Sequence, residues 1–163
     1  MRRVVVTGLG LVSPLGCGVT KSWEQLISCK SGASNITKFD TEKFSTKYAC
    51  EVPREGEFSF NPNDWLDTKE QRKVDDFIMY GLSAATQAVE DSSWKPKNDY
   101  EKERTGVMIG SGIGGLGSIS KTSILIKEKG PRKVSPFFIP GSLINLVSGN
   151  VSIKFGFKGP NHA

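Results

Sequence analysis

The spacing of apolar residues changes several times along the chain, and the changes mark out elements. Arg3 to Thr7, RVVVT, is a β-branched run closed by Gly8, the pattern of a short buried strand. Val19 to Ser28 then places Val19, Trp23, Leu26 and Ile27 on one face of a short amphipathic helix, with Thr20 as its candidate cap. Between Lys30 and Asn63 the period is lost. Gly32, Pro53, Gly56 and Pro62 punctuate this segment, and only KYACEV suggests a strand. A loop-rich stretch of this length inside a domain is more often a functional excursion than a linker.

Helical order returns near Lys69. Phe77, Tyr80, Gly81, Ala84, Ala85, Ala88 and Val89 form an apolar stripe rich in small residues, so another element is expected to pack closely on it. Trp94 and Pro96 end the pattern. Thr105 to Ile109 reads as a second strand, followed by a glycine-dense turn and a helix from Ser118 to Lys127 that Gly130-Pro131 closes. Pro136 and Pro140 pin what reads as a rigid apolar loop. Leu143, Leu146, Val147, Val151 and Phe155 then continue as a helix. The order strand, helix, long loop, helix, strand, helix, helix is that of an α/β protein whose sheet is unfinished, because a parallel sheet needs several strands with helices on both faces.

Composition adds mainly exclusions. With 163 residues, 37% of them hydrophobic and 24% charged, the chain suits one globular domain. No apolar run approaches the ~20 residues of a membrane-spanning helix. Met1-Arg2-Arg3 runs directly into VVVTGLG without an apolar or Arg/Ser-rich leader, so a cytoplasmic protein of bacterial type is expected. Cys17, Cys29 and Cys50 form no CxxC pair and are odd in number, which argues against a disulfide framework and a zinc site. The single histidine, His162, excludes an intrinsic site built on two imidazoles. A net charge of +5 without a Lys/Arg block suits an acidic partner and disfavours nucleic acid.

Two glycine clusters imitate a dinucleotide fingerprint. In VVVTGLGLVSP the place of the third glycine holds Ser13, followed by Pro14, where a helix should already have begun. GSGIGGLG is a formal match through Gly112, Gly114 and Gly117, but the acidic ribose partner expected ~20 residues later, at the end of a strand, is missing. A tight turn at which backbones approach closely is the better account of Gly112 to Gly117.

Taken in order, the segments RRVVVTGLGLVSPLG, KSGASNITKFD, KEQRKVDDFIMYG, IGSGIGGLGS and GPRKVSPFFIPGSLINLVSGNVSIKFGFKGPNHA resemble the β-ketoacyl-[acyl-carrier-protein] synthases of type II, condensing enzymes of fatty-acid synthesis. The resemblance runs from Arg2 to Ala163 and implies a thiolase-like layered αβαβα fold. Residues 1–163 would be the N-terminal part of the synthase domain, an incomplete half. It implies a homodimer that elongates acyl chains by decarboxylative Claisen condensation with malonyl-acyl carrier protein, with no cofactor and no metal. In that family GPNHA or a near variant leads into a strand of the type V-V-T-A-C that carries the nucleophilic cysteine, so the chain is expected to stop just before it. The histidine pair of the family would also lie outside residues 1–163. No catalytic residue is therefore assigned. Cys17, Cys29 and Cys50 are read as small core or surface residues, and His162 as structural.

Some substrate-handling positions would still fall inside the chain. By resemblance, Ile113 in the GSGIGG turn gates the acyl pocket and Phe138, the second phenylalanine of PFF, helps to close it across the dimer interface. Core packing is the plain alternative for both. The acyl carrier protein is acidic, and the family's docking patch maps onto Lys69, Arg72, Lys73, Arg132 and Lys133, with a solvated face as the alternative. Arg72 and Lys73 are expected in the exposed first turn of the helix that carries the apolar stripe, against the helix dipole. Alone, the segment is expected to be inactive and unstable, with an unpaired sheet edge and an exposed apolar face. Two rival functions remain: a non-catalytic module that binds acyl carrier protein, and a dinucleotide-binding domain.

Overall fold

The computed structural model describes residues 2–163, and its centre is one long helix. Asp75 accepts a hydrogen bond from the Asp76 amide and starts α3 (Asp76–Ser92), which Ser93 closes in a left-handed conformation. Ile78, Met79 and Leu82 lie on its buried face. With Phe60, Leu66, Val107, Val147, Val151 and Phe157 they form the core. The small-residue stripe meets two neighbours. Gly81 faces Val147 of α7 (Leu146–Phe155), where an added Cβ would lie 2.3 Å from Val147 Cγ2. On the other side, a Cβ on Gly8 or Gly10 would lie 2.2 Å from the Ala88 carbonyl oxygen or 1.9 Å from that of Ala84. Close packing on this helix is thus supplied by a second helix and by the N-terminal segment.

Among the described residues, three two-stranded ladders complete the framework. β1 (Val12–Ser13) pairs antiparallel with β2 (Gly16–Cys17), β3 (Ser34–Asn35) antiparallel with β4 (Tyr48–Ala49), and β5 (Val107–Met108) parallel with β6 (Asn161–His162). The parallel pair is held further by Val107 N–H donating to the Pro160 carbonyl at 2.8 Å and Ile109 N–H to that of His162 at 3.1 Å. The Gly-Pro-Asn turn therefore delivers the chain to the edge of the second expected strand. KYACEV contributes its strand, tied back to the start of the irregular segment.

The first expected strand does not form. Arg3 to Thr7 has no ladder partner among the described residues, and Val4 is 95% exposed. A β-branched run becomes a strand only where another backbone completes its hydrogen bonds. Here the neighbouring segment is held instead by side chains of α3. The Leu9 amide donates to Asp91 Oδ2 at 2.8 Å and the Leu11 amide to Gln87 Oε1 at 3.1 Å.

The remaining helices differ from expectation in instructive ways. α1 (Val19–Ile27) starts at Gly18 with no side-chain cap, so Thr20 lies inside it, and its buried residue is Ser22 rather than the apolar stripe. Trp23, Leu26 and Ile27 are exposed. With Leu9, Leu11 and Val19, Trp23 and Leu26 border an open apolar groove of about 470 Å³. The helical order near Lys69 is two helices, not one. Asp67 caps α2 (Thr68–Gln71) by accepting from the Lys69 and Glu70 amides, and the chain breaks before α3. α4 (Asp99–Glu103) was not anticipated, although Asn98 followed three residues later by Glu101 is a helix-start signal; Asn98 Oδ1 accepts from the Glu101 amide at 2.9 Å. α5 spans Leu116–Lys129 and ends at Gly130, whose φ is 79°. The segment expected to be a rigid loop holds α6 (Phe138–Ser142), with Pro140 early enough in it to be tolerated. Among the described residues, no helix is long and apolar enough to cross a membrane.

Candidate functional site

A cleft of about 220 Å³ opens where the α2–α3 link, α5 and α6 converge. Its organising residue is Asp75. Besides capping α3, its carboxylate accepts from the Ser118 hydroxyl at 2.5 Å and the Ser118 amide at 3.2 Å, and its own amide donates to the Gly141 carbonyl at 3.1 Å. One carboxylate thereby joins the start of α3 to the first turn of α5, and its backbone is tied to α6. Two glycines allow the approach. A Cβ on Gly141 would lie 2.5 Å from the Lys73 carbonyl oxygen, and one on Gly115 2.8 Å from Ser142 Cα. Gly114, at φ +76°, also abuts the Ser142 carbonyl, where a Cβ would come within 2.6 Å. The glycine-dense turn is thus a site of close backbone approach, as its sequence suggests. Gly112 and Gly117 themselves face open space.

Arg72 and Lys73 line the cleft from the link, Lys121 and Thr122 from α5, and Phe137 and Phe138 from the start of α6. The Lys73 ammonium lies 5.4 Å from the centre of the Phe137 ring, a cation–π contact. Arg72 is the C-terminal cap residue of α2 and Lys73 follows it, so neither occupies the first turn of α3. The expected conflict with the helix dipole does not arise. Ser142 lines the same cleft, and its buried hydroxyl has no hydrogen-bond partner among the described residues.

Of the positions marked in the sequence, the cleft gathers Arg72, Lys73 and Phe138. The others lie elsewhere. Lys69 is exposed on α2, and Arg132 and Lys133 are exposed in the 3₁₀ turn Pro131–Lys133 that follows α5. Ile113 is 67% exposed in the glycine turn and does not border the cleft that Phe138 lines. Asp75, Ser118 and Lys121 went unmarked. An Asp directly before an apolar helical stripe signalled the cap role of Asp75, but its tie to Ser118, 43 positions away, had no local signature.

The three cysteines differ in their surroundings. Cys17 packs against the core, and burial pushes its thiol up from the ordinary value of 9.0, against the pull of Lys21. Cys29 and Cys50 are exposed. His162 is exposed in β6 and pairs through its backbone with Met108.

Comparison with known proteins places this arrangement. The family profile described as "Beta-ketoacyl synthase, N-terminal domain" matches residues 1–163. A protein of Rhizobium meliloti (strain 1021) named 3-oxoacyl-[acyl-carrier-protein] synthase 2 is 50% identical over 100% of this chain and 39% of its own length. A protein of the same name from Vibrio cholerae is 48% identical over 99% of this chain and 38% of its own length. In Arabidopsis thaliana, a mitochondrial 3-oxoacyl-[acyl-carrier-protein] synthase is 45% identical over 99% of this chain and 38% of its own. Among solved structures, the ishigamide ketosynthase/chain length factor superposes with a TM-score of 0.77 at 29% identity, covering 99% of this chain and 38% of that one. The complex of a type II polyketide ketosynthase with its acyl-carrier protein, AntDE:AntF, shares the fold at a TM-score of 0.67 and 23% identity, covering 97% of this chain and 40% of that one. The chain thus spans about two fifths, 38–39%, of the length of these curated relatives. Its partial α/β framework is that of the thiolase-like ketosynthases, and the chain belongs to the β-ketoacyl synthase family, whose N-terminal domain residues 1–163 match.

Proposed function

We propose that residues 1–163 are the N-terminal part of a 3-oxoacyl-acyl carrier protein synthase of fatty-acid synthesis. The observation that carries this is near-complete alignment, at 48–50% identity, to proteins bearing that name. The reaction would transfer an acyl group from acyl carrier protein to a cysteine. Malonyl-acyl carrier protein would then lose carbon dioxide, and its carbanion would attack the thioester. That chemistry needs a thiolate and donors for the developing oxyanion. The thiol of Cys17 is raised, the reverse of activation, and the only histidine of the chain is His162. The nucleophile and the histidine pair are therefore assigned to a longer protein, and residues 1–163 by themselves should not condense.

Within that enzyme, Lys69, Arg72, Lys73, Arg132 and Lys133 would receive the acidic carrier protein. Their exposure and the lack of ion pairs at these five among the described residues support this. Ile113 and Phe138 would border the acyl chain, with Phe138 acting across a homodimer interface. A cytoplasmic setting belongs to this reading.

The test is condensation by the protein at its natural length, purified from its own source, with acyl- and malonyl-acyl carrier protein. Product is read by the intact mass of the carrier. A 3-oxoacyl carrier formed by the natural-length protein, and none by residues 1–163 alone, is the expected result. Saturable carrier binding without product from the natural-length protein would establish a binding module instead.

A further inference from the structure

Three cations line the cleft between the α2–α3 link, α5 and α6, against one carboxylate. Arg72 and Lys73 already belong to the proposed docking patch; Lys121 does not. Its charge is uncompensated by its own helix, since the positions three and four away on either side are Gly117, Ser118, Ile124 and Leu125. The two acids at the start of α3 are engaged elsewhere. Asp75 accepts from Ser118 and the Asp76 amide, while Asp76 is paired with Arg54 at 2.9 Å and Lys38 at 3.5 Å. None of Arg72, Lys73 and Lys121 has an ion pair among the described residues. The lining otherwise offers hydroxyls from Thr122, Ser135 and Ser142, the last buried and without a partner among the described residues.

We infer that Lys121 is a sixth docking cation, the third in this cleft, and that the cleft receives an acidic side chain of the acyl carrier protein. The inference rests on the docking role proposed above for Arg72 and Lys73. A carboxylate entering here meets three positive groups and hydroxyl donors in a partly enclosed space, where charge-assisted hydrogen bonds are stronger than on an open surface. The lysine thereby extends the docking surface from the α2–α3 link onto α5, toward Arg132 and Lys133 at that helix's far end.

The test measures the dissociation constant of acyl carrier protein for the natural-length protein at two salt concentrations. The variants are K121A, K121E, K121R, R72E and, as a distant control, K95E. Lys121 is exposed, and far-UV circular dichroism of each variant checks its fold. K121A is expected to weaken binding about 3–10-fold and to flatten the salt dependence, K121E to weaken it further, and K121R to restore it. If K121A and K121E bind like the parent while R72E is weakened, Lys121 is not a docking residue although the patch stands. If R72E also binds normally, the docking assignment falls and this inference with it. An equal loss in K95E would reduce the effect to net charge and overturn the site.

Discussion

Gly81 and Val147 meet where α3 crosses α7, and the contact leaves no room for a Cβ, which would lie 2.3 Å from Val147 Cγ2. Val147 is 2% exposed and β-branched, so it has little freedom to turn aside. Gly81→Ala gains up to ~1 kcal/mol of helix propensity but overpacks the core at a cost of ~1–3 kcal/mol. Net destabilisation is the expected outcome in urea unfolding. Adding Val147→Ala should recover part of it, giving a coupling of at least ~0.5 kcal/mol in the double-mutant cycle. Strict additivity would show that the two residues do not share the contact.

Asp75 joins three elements through one side chain and its backbone amide. Asp75→Ala removes the cap of α3 and strands the Ser118 donors, so a loss of ~1–3 kcal/mol is expected. Ser118→Ala should cost less, ~0.5–1.5 kcal/mol, because the carboxylate keeps the Asp76 and Ser118 amides as donors. Urea midpoints of the two variants and their double check this. Equal losses would mean that the cap matters little.

Asn161 uses both ends of its amide. Its Nδ2 donates to the Ser148 carbonyl at 3.0 Å and the Ser152 hydroxyl at 2.7 Å, and its Oδ1 accepts from the Ser148 hydroxyl at 2.9 Å. Asn161→Asp turns a carboxylate oxygen toward the Ser148 carbonyl, so it should destabilise more than Asn161→Ala. Amide exchange at Val107 and Ile109, which donate to Pro160 and His162, reports the loosening of β6. Unchanged protection at both amides in Asn161→Asp would show that the amide does not hold the ladder.

The raised Cys17 thiol predicts slow alkylation. Its thiolate population at pH 8 is below that of an ordinary cysteine, and burial limits access, so iodoacetamide should modify Cys29 and Cys50 at least ~10-fold faster. Because the folded value lies above the unfolded one, the native state retains this proton longer. Stability is therefore full below the ordinary value of 9.0 and declines as pH rises through the folded value. Peptide mass mapping of a labelling time course decides it. Preferential modification of Cys17 would mean an activated thiol and would reopen its exclusion as a nucleophile.

The sequence by itself determined the elements whose causes are local. The period of Phe77 to Val89 marked α3, the small residues on it announced close packing, Gly130-Pro131 marked the end of α5, and the motifs from Arg2 to Ala163 identified the family. Tertiary structure decided what depends on a distant partner. Arg3 to Thr7 has the composition of a strand but lacks a second backbone to pair with, and the apolar face of α1 lies open because nothing among the described residues covers it. Of the cleft lining, Arg72, Lys73 and Phe138 were the positions that motif singled out. That Ile113 stands apart, that Asp75 reaches Ser118, and that Lys121 enters the same cleft were not legible in the sequence. Periodicity is written within a few residues of chain, whereas burial, pairing and shared charge are set by whichever segments the fold brings together.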